Sequence, residues 1–559
     1  MSAEIYLKTN VKIYLCQLNF HVGDLDKNLE KIISTRKNVK KQGGDLCVFS
    51  ELSITGYPPE DLVLRKSFIY AVEDIIDKLL ALSKDGGPAL IIGYPRNDNG
   101  KLKNSAALID NGIISIVDKF HLPSYGVFDE ARVFHSERVS GPIAFRGIRI
   151  GLMICEDMWF SDVSESLQES GAQILVVING SPYDQNKEDE RISVAVSRVI
   201  ETNLPLIYVN QIGGQDELVF DGGSFALDNN SKLCLQNSLW KEEVNYIEIF
   251  NNNNNLIEIS NFIINKISNG LESKYNAMVL GLRDYVIKNN FKGVLLGLSG
   301  GIDSALAAAI AVDALGSEKV RGIRMPSKYS SKGSLDDAEE TGKLLNIRID
   351  TINIEEINSV YSNNLEELFT GLANDLTEEN IQSRIRGVIL MAISNKFGDM
   401  LISTGNKSEI SVGYTTIYGD MNGGFSALKD AYKTDVYELS KWRNSNYNDL
   451  FLGSNGPAIP INSIKKEPSA ELNLNQKDQD SLPPYEILDE ILKSIIEDEA
   501  SLDSIIKLGH DRELVNRIYR LLLLSEYKRR QSAPGVKLTA RSFGKERRYP
   551  ITNAFLYDK

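Results

Sequence analysis

The sequence predicts two α/β domains in succession, and three observations lead there. At 559 residues the chain exceeds what one hydrophobic core holds, since cores stop growing near ~250–300 residues. Both halves carry short apolar runs rich in branched and aromatic residues, suited to strands rather than to helices. Helical stretches separate those runs, which is the alternation of layered α/β domains.

The first half is strand-rich. Runs at residues 11–18, 45–50, 89–94, 148–155, 174–179 and 206–210 predict its strands. A polar, lysine-rich segment at 24–42 has helical character and stops at Gly43 and Gly44. Asn111 and Gly112, between apolar runs at 105–110 and 113–117, predict a two-residue hairpin turn. Five asparagines at 251–255 read as a solvated linker and put the boundary near 250–265, giving domains 1–255 and 256–559. Beyond it, helix-like segments around 256–290 precede a strand at 294–298, a glycine turn and a helix at 305–315. Runs at 320–324, 347–352 and 400–403 alternate with helices, predicting a parallel, helix-covered sheet. Residues 462–486, polar and carrying Pro468, Pro483 and Pro484, read as a long functional loop.

Composition narrows the function classes. A net charge of −14 argues against nucleic acid as a partner, so an anionic substrate needs a local cluster of donors. No run approaches the ~18 apolar residues that span a bilayer, and the first ten residues lack a secretory pattern. Cys16, Cys47, Cys155 and Cys234 lie far apart, as in a reducing cytosol.

Three polar residues end three apolar strands: Glu51, Lys119 and Cys155. A lone cysteine there is ordinarily a small core residue. On a shared sheet edge, however, the three make a working set. A cation lowers the thiol pKa, a carboxylate shuttles its proton, and lysine steadies an oxyanion. His121 or His135 offer an alternative partner for the thiol. The segments F-S-E-L-S-I-T-G-Y at 49–57, D-K-F-H-L-P-S-Y-G-V-F-D-E at 118–130 and I-C-E-D-M-W at 154–159 resemble the signatures of the nitrilase, or carbon–nitrogen hydrolase, superfamily. The resemblance covers most of residues 10–250 and implies an αββα sandwich. It implies Glu51 as general base, Lys119 as oxyanion support, Cys155 as nucleophile and Glu130 as a further positioning glutamate. For the glutaminase branch it implies Tyr125, Ser181 and Lys187 around bound glutamine.

The run S-G-G-I-D-S at 299–304 joins a strand to a helix start. Glycines admit a phosphate close to the backbone, and the helix N-terminus offers unpaired N–H groups. Asp303 there suggests a bridging Mg2+. Neither a Walker loop nor a G-x-G-x-x-G turn occurs. The run resembles the pyrophosphate loop of ATP pyrophosphatases, which implies a Rossmann-like parallel sheet. The segments at 324–331, 380–387, 403–409, 418–425, 481–485 and 527–530 resemble those of NAD synthetases, in the same order. That resemblance implies ATP at Gly297, Leu298, Ser299, Gly300, Gly301, Ile302, Asp303, Ser304 and Thr404. It implies deamido-NAD+ at Asn380, Glu409, Tyr414 and Lys528, Mg2+ at Asp303 and Glu409, and a homo-oligomer.

Together the two sites imply a glutamine-dependent member of that family. The amidase would release ammonia from glutamine through a Cys155 thioester, and ATP would activate the nicotinate carboxylate as an adenylate for the ammonia to amidate. Amidotransferases making asparagine or GMP share the activation chemistry. The former uses an N-terminal cysteine absent from M-S-A-E, and the latter a Cys–His–Glu glutaminase of another fold. A non-catalytic scaffold would have no need of Glu51, Lys119, Cys155, Asp303 and Glu409 together. Ammonia is mostly ammonium at neutral pH, so two sites in one chain suggest a dry passage between them. Isotope dilution checks this: unlabelled free ammonia should not dilute the label passing from glutamine amide to NAD+, and full dilution would refute the passage.

Overall fold

The computed structural model describes residues 10–185, 187–251, 257–474 and 476–555. The asparagine run beyond Asn251 and the residues before Asn10 lie outside them. The chain forms two compact units, one reaching Gln215 and resuming over Val219–Ser268, the other holding Asp216–Leu218 and everything from Asn269 on.

The first unit has two seven-stranded sheets. Strand Asn10–Gln17 lies parallel to Leu46–Val48, which lies parallel to Ala89–Asp98. Ile148–Ile154, Ile174–Asn179 and Leu206–Asn210 run parallel in the other sheet. Side chains alternate between faces as strand geometry requires. Ile13 and Leu15 join Ile150, Leu152 and Ile154 in one core between the sheets. Tyr14 and Cys16 face the other way, packing with Ile32, Val39, Val72 and Leu79 of helices Leu25–Lys41 and Lys66–Ser83. Met153, Leu175 and Val177 likewise pack under Val163, Leu167, Ala195 and Val199 of helices Ser161–Glu169 and Lys187–Thr202. Helix, sheet, sheet and helix stack as the expected αββα sandwich. The turn between Lys101–Asp110 and Ile113–Asp118 has Asn111 at φ 48° and Gly112 at φ 79°, the left-handed pair that a tight hairpin needs.

Two expectations need correction. The helix-like reading from 256 onward fails at its start. Ile257–Ile259 and Ile263–Ile264 are strands pairing with Glu243–Asn251 and Leu233–Gln236, because their β-branched isoleucines suit an edge strand. The helix begins only at Gly270. The segment 462–486 is not wholly extended: Ile461–Lys465 is a short helix, Asp478–Asp480 a 3-10 turn, and a long helix starts at Tyr485.

The second unit is built on a five-stranded parallel sheet, ordered Arg348–Thr351, Val320–Arg324, Val294–Gly297, Met400–Ser403, Phe425–Ser426. The chain winds outward from Val294–Gly297 first one way and then the other. The loops after Val294–Gly297 and Met400–Ser403 therefore flank the switch point, where open α/β sheets hold ligands. Behind the sheet, helix Ile302–Leu315 is buried almost throughout, which its alanines permit. It carries Asp313, fully buried, which accepts from Arg443 Nε at 2.6 Å and from Tyr275 Oη at 2.7 Å. Arg443→Met would leave that carboxylate uncompensated and should destabilise the fold by about 3–5 kcal/mol, measured as a shift of the urea midpoint.

Candidate active sites

The first site grows from three strand ends. Glu51 follows Leu46–Val48, where the backbone packs so closely on Gly93 that a Cβ there would lie 2.3 Å from Leu52 N. Lys119 follows Ile113–Asp118, its N–H donating to Asn104 O at 2.8 Å. Cys155 follows Ile148–Ile154 at φ 48°, a strained left-handed turn that opens the 3-10 turn Cys155–Trp159. Asp157 binds these loops together, accepting from Phe120 N at 3.0 Å, His121 N at 2.8 Å and Ile154 N at 3.0 Å.

All four expected residues meet in one buried cluster. Lys119 Nζ lies 2.7 Å from Glu51 Oε1 and 2.9 Å from Glu130 Oε1. Asn104 Nδ2 donates to Glu51 Oε1 at 2.7 Å and to Glu130 Oε2 at 3.3 Å. Tyr57 Oη donates to Glu130 Oε1 at 2.8 Å, and Gly180 N donates to Glu51 Oε2 at 3.0 Å. Burial opposes the Lys119 charge, yet Glu130 and Glu51 hold its pKa well above the usual lysine value. Burial pushes Glu130 up to about 7, with Lys119 opposing and Glu51 adding.

The Cys155 thiol departs from expectation. Burial pushes its pKa well up and Glu51 adds to this; Lys119 opposes without prevailing. The resting group is thus a thiol that needs a base, not a preformed thiolate. Of the two candidate histidines, His121 is engaged elsewhere, meeting Asp162 at 2.9 Å and stacking on Phe160.

The three residues expected around glutamine reach this cluster through their neighbours. Tyr125 Oη donates to Glu156 Oε1 at 2.9 Å, next to Cys155. Ser181 follows Gly180, and its Oγ accepts from Arg191 Nε at 3.0 Å. Arg191 is anchored on buried Asp221 at 2.8 Å. Lys187 Nζ lies 4.9 Å over the Trp159 ring. Asn104, Tyr57, Arg191 and Asp221 escaped the sequence reading, because a polar residue in a strand, loop or helix carries no local signal of its distant partner.

In the second unit, Gly300 at φ 82° packs so tightly that a Cβ would lie 2.1 Å from Ser334 O. Ser304 Oγ donates to Gly301 O at 3.0 Å and meets Ser299 Oγ at 3.2 Å, fixing the loop against helix Ile302–Leu315. A cavity of about 300 Å³ opens here, lined by Gly297, Leu298, Ser299, Gly301, Ile302, Asp303 and Ser304 and by Thr404, Glu409 and Tyr414. Gly300 lies behind the wall. Asn380 and Lys528 also do not line it. Asn380 Oδ1 accepts from Thr416 Oγ1 at 3.0 Å, and Lys528 Nζ donates to Thr415 O at 2.7 Å, so both hold the loop that does.

Asp303 and Glu409 share one cation, the ammonium of Lys433, at 2.5 and 3.2 Å. Asn406 Nδ2 donates to the other oxygen of Asp303 at 2.8 Å. Burial pushes Glu409 up to about 8, opposed by Lys433 and reinforced by Asp303. Lys433 and Asn406 were also missed by the sequence reading. Much of the predicted long loop lines the cavity, from Lys466 to Leu472 and at Asp478.

Comparison with known proteins adds independent findings. Residues 12–252 match the carbon–nitrogen hydrolase family, and residues 274–532 match NAD synthase. A glutamine-dependent NAD(+) synthetase of Rhodobacter capsulatus is 46% identical over 97% of this chain and 98% of its own. One from Thermotoga maritima is 39% identical over 98% of this chain and 99% of its own. The solved structure of the Acinetobacter baumannii glutamine-dependent NAD+ synthetase, in complex with ADP, superposes with a TM-score of 0.77 at 39% identity, covering 98% of this chain and 99% of that one. A Cytophaga hutchinsonii structure of the same description, 21% identical and covering 98% of both chains, shares the fold with a TM-score of 0.81.

The raised Glu409 pKa has a measurable consequence. The folded chain holds a proton there between about pH 4.5 and 8 that the unfolded chain releases, so this group's contribution is complete below pH 4.5 and lost as pH rises to 8. Without ligands, Glu409→Gln should flatten the decline of stability from pH 5 to 8 in denaturant titrations; an unchanged slope would contradict the assignment.

Proposed function

The chain belongs to the family of glutamine-dependent NAD(+) synthetases, and on that premise we propose how its residues divide the reaction. It makes NAD+ from deamido-NAD+, with ATP activating the carboxylate and glutamine supplying the nitrogen. The first unit carries the glutamine chemistry, and the second carries the ATP chemistry. One observation above all supports the reading: a chain that buries Cys155 beside a Glu–Lys–Glu cluster also opens a serine–glycine loop onto a cavity holding two carboxylates.

In the first half-reaction Glu51 takes the Cys155 proton, which the raised thiol pKa makes necessary, and the sulfur attacks the glutamine side-chain amide. Lys119 is the cation that the developing oxyanion meets, and Glu130 with Asn104 holds that cation in place. Glu51 returns its proton to the departing ammonia. Water, deprotonated by the same carboxylate, then hydrolyses the thioester to glutamate, and Glu51 passes that proton to the departing Cys155 sulfur. Tyr125, Ser181 and Lys187 bind glutamine.

In the second half-reaction the loop of Ser299 to Ser304 and the start of its helix bind the ATP phosphates through backbone N–H groups and hydroxyls. The nicotinate carboxylate attacks the α-phosphorus and pyrophosphate leaves. Ammonia then attacks the acyl carbon and AMP departs. Asp303 and Glu409 fit Mg2+, since both offer hard carboxylate oxygens that already share one cation. When bound, Mg2+ supplies positive charge to the phosphates. Asn380, Glu409, Tyr414 and Lys528 hold the dinucleotide, Asn380 and Lys528 by shaping the loop at 413–416. The reading carries with it a homo-oligomeric enzyme working in a reducing compartment. No described helix is long and apolar enough to cross a membrane.

Variants separate the half-reactions. Cys155→Ala should lower glutamine-dependent NAD+ formation by about 10³-fold or more while ammonia-dependent formation persists. Asp303→Asn should depress both by about 10²-fold or more. A well-folded Cys155→Ala protein inactive with ammonia would refute the division into two sites. Asn104→Ala should lower kcat for glutamine about tenfold, by loosening Glu51 and Glu130, and leave the ammonia reaction intact.

A further inference from the structure

Buried guanidinium groups in this chain come with their counter-charge. Arg443 meets Asp313 at 2.6 Å, Arg191 meets Asp221 at 2.8 Å, and Arg529 meets Glu526 at 2.8 Å. Arg283 instead spends its donors on the carbonyls of Asp313, Ala314 and Leu450.

Arg386 departs from both patterns. It sits on helix Leu376–Phe397, within the sequence that reads N-I-Q-S-R-I-R-G, and lines the cavity beside the Ser299–Ser304 loop. Its one hydrogen bond runs from Nε to Met325 O at 3.1 Å, and its two terminal amino groups have no partner among the described residues. Among the described residues, Glu471 is the carboxylate that acts on it. That carboxylate is already engaged, by Ser334 Oγ at 2.6 Å, Ser331 Oγ at 2.9 Å and Lys466 Nζ at 3.2 Å. Burial accordingly pushes the Arg386 pKa down to about 10. A half-buried guanidinium whose two amino groups are left open in a cavity is a ready partner for an anionic ligand.

We infer that Arg386 is a phosphate clamp, its two open amino groups forming a bidentate pair with a phosphate of the bound nucleotide. The planar fork matches two phosphate oxygens, and its place in the wall of the same cavity adds positive charge to the N–H and hydroxyl donors of the Ser299–Ser304 loop. The inference rests on the reading of this cavity as a nucleotide site. The phosphate belongs either to ATP or to the dinucleotide, whose chemistry here is the same.

Calorimetric binding of ATP and of deamido-NAD+ to the full chain, with melting of the ligand-free protein, tests it. Arg386→Met should weaken binding of one nucleotide about tenfold or more, and Arg386→Lys should fall between the variant and the native chain. Which nucleotide is affected identifies the source of the phosphate. Because the two amino groups hold no other part of the fold in place, Arg386→Met should leave the Tm of the ligand-free protein unchanged or raised, where losing a structural arginine lowers it. Unchanged affinity for both nucleotides, or a lowered Tm, would overturn the clamp. The reading of the cavity stands or falls separately, by whether the native chain makes NAD+ from deamido-NAD+, ATP and ammonia.

Discussion

The Lys119 ammonium lies where water does not reach, 2.7 Å from Glu51 and 2.9 Å from Glu130, and much of the first unit's architecture follows from satisfying it. Taking three charges out of water carries a penalty of several kcal/mol per ion unless every remaining lone pair finds a partner. Asn104, Tyr57 and the Gly180 N–H complete the set. Burial pushes Glu130 up to about 7 and raises the neighbouring thiol, and the cluster's second carboxylate, Glu51, adds to both.

The same constraint explains the rigidity around the site. The loops carrying Lys119 and Cys155 are tied to one another through Asp157, and Glu51 is seated against Gly93. Cys155 is held at φ 48°, a conformation a non-glycine residue adopts only where its surroundings impose it. Strain, burial and ion pairing thus act on a handful of adjoining atoms, supported by two sheets whose alternating faces share one core.

The second unit meets the opposite requirement, since its ligands are polyanions. Its loop offers N–H groups and hydroxyls, and its carboxylates Asp303 and Glu409 are kept from repelling phosphate by Lys433. Burial in the first unit seals charge in, whereas the second unit leaves its charge facing a cavity. The long segment after Ile461–Lys465 forms part of that cavity's wall, with Glu471 fastened to the helix start at Ser331 and Ser334.

Much was legible in the residues alone. Apolar runs of strand length, the Asn111-Gly112 turn and the serine–glycine loop each report a local backbone requirement, and local requirements are written in neighbouring residues. Glu51, Lys119 and Cys155 became a set once three strand ends were taken to converge, and Glu130 joined them through resemblance. Asn104, Tyr57, Asp157, Lys433 and Arg386 were not legible, because each acts on a group far away in the chain. The direction of the Cys155 pKa shift was not legible for a related reason: the sequence displays a nearby cation but not the depth of burial that outweighs it. The sequence by itself determined the two-domain α/β plan and the kinds of chemistry available, since pattern and residue type are local. The tertiary structure alone decided which charges are compensated, as with Lys119, and which await a ligand, as with Arg386, since compensation depends on distance and exclusion of water.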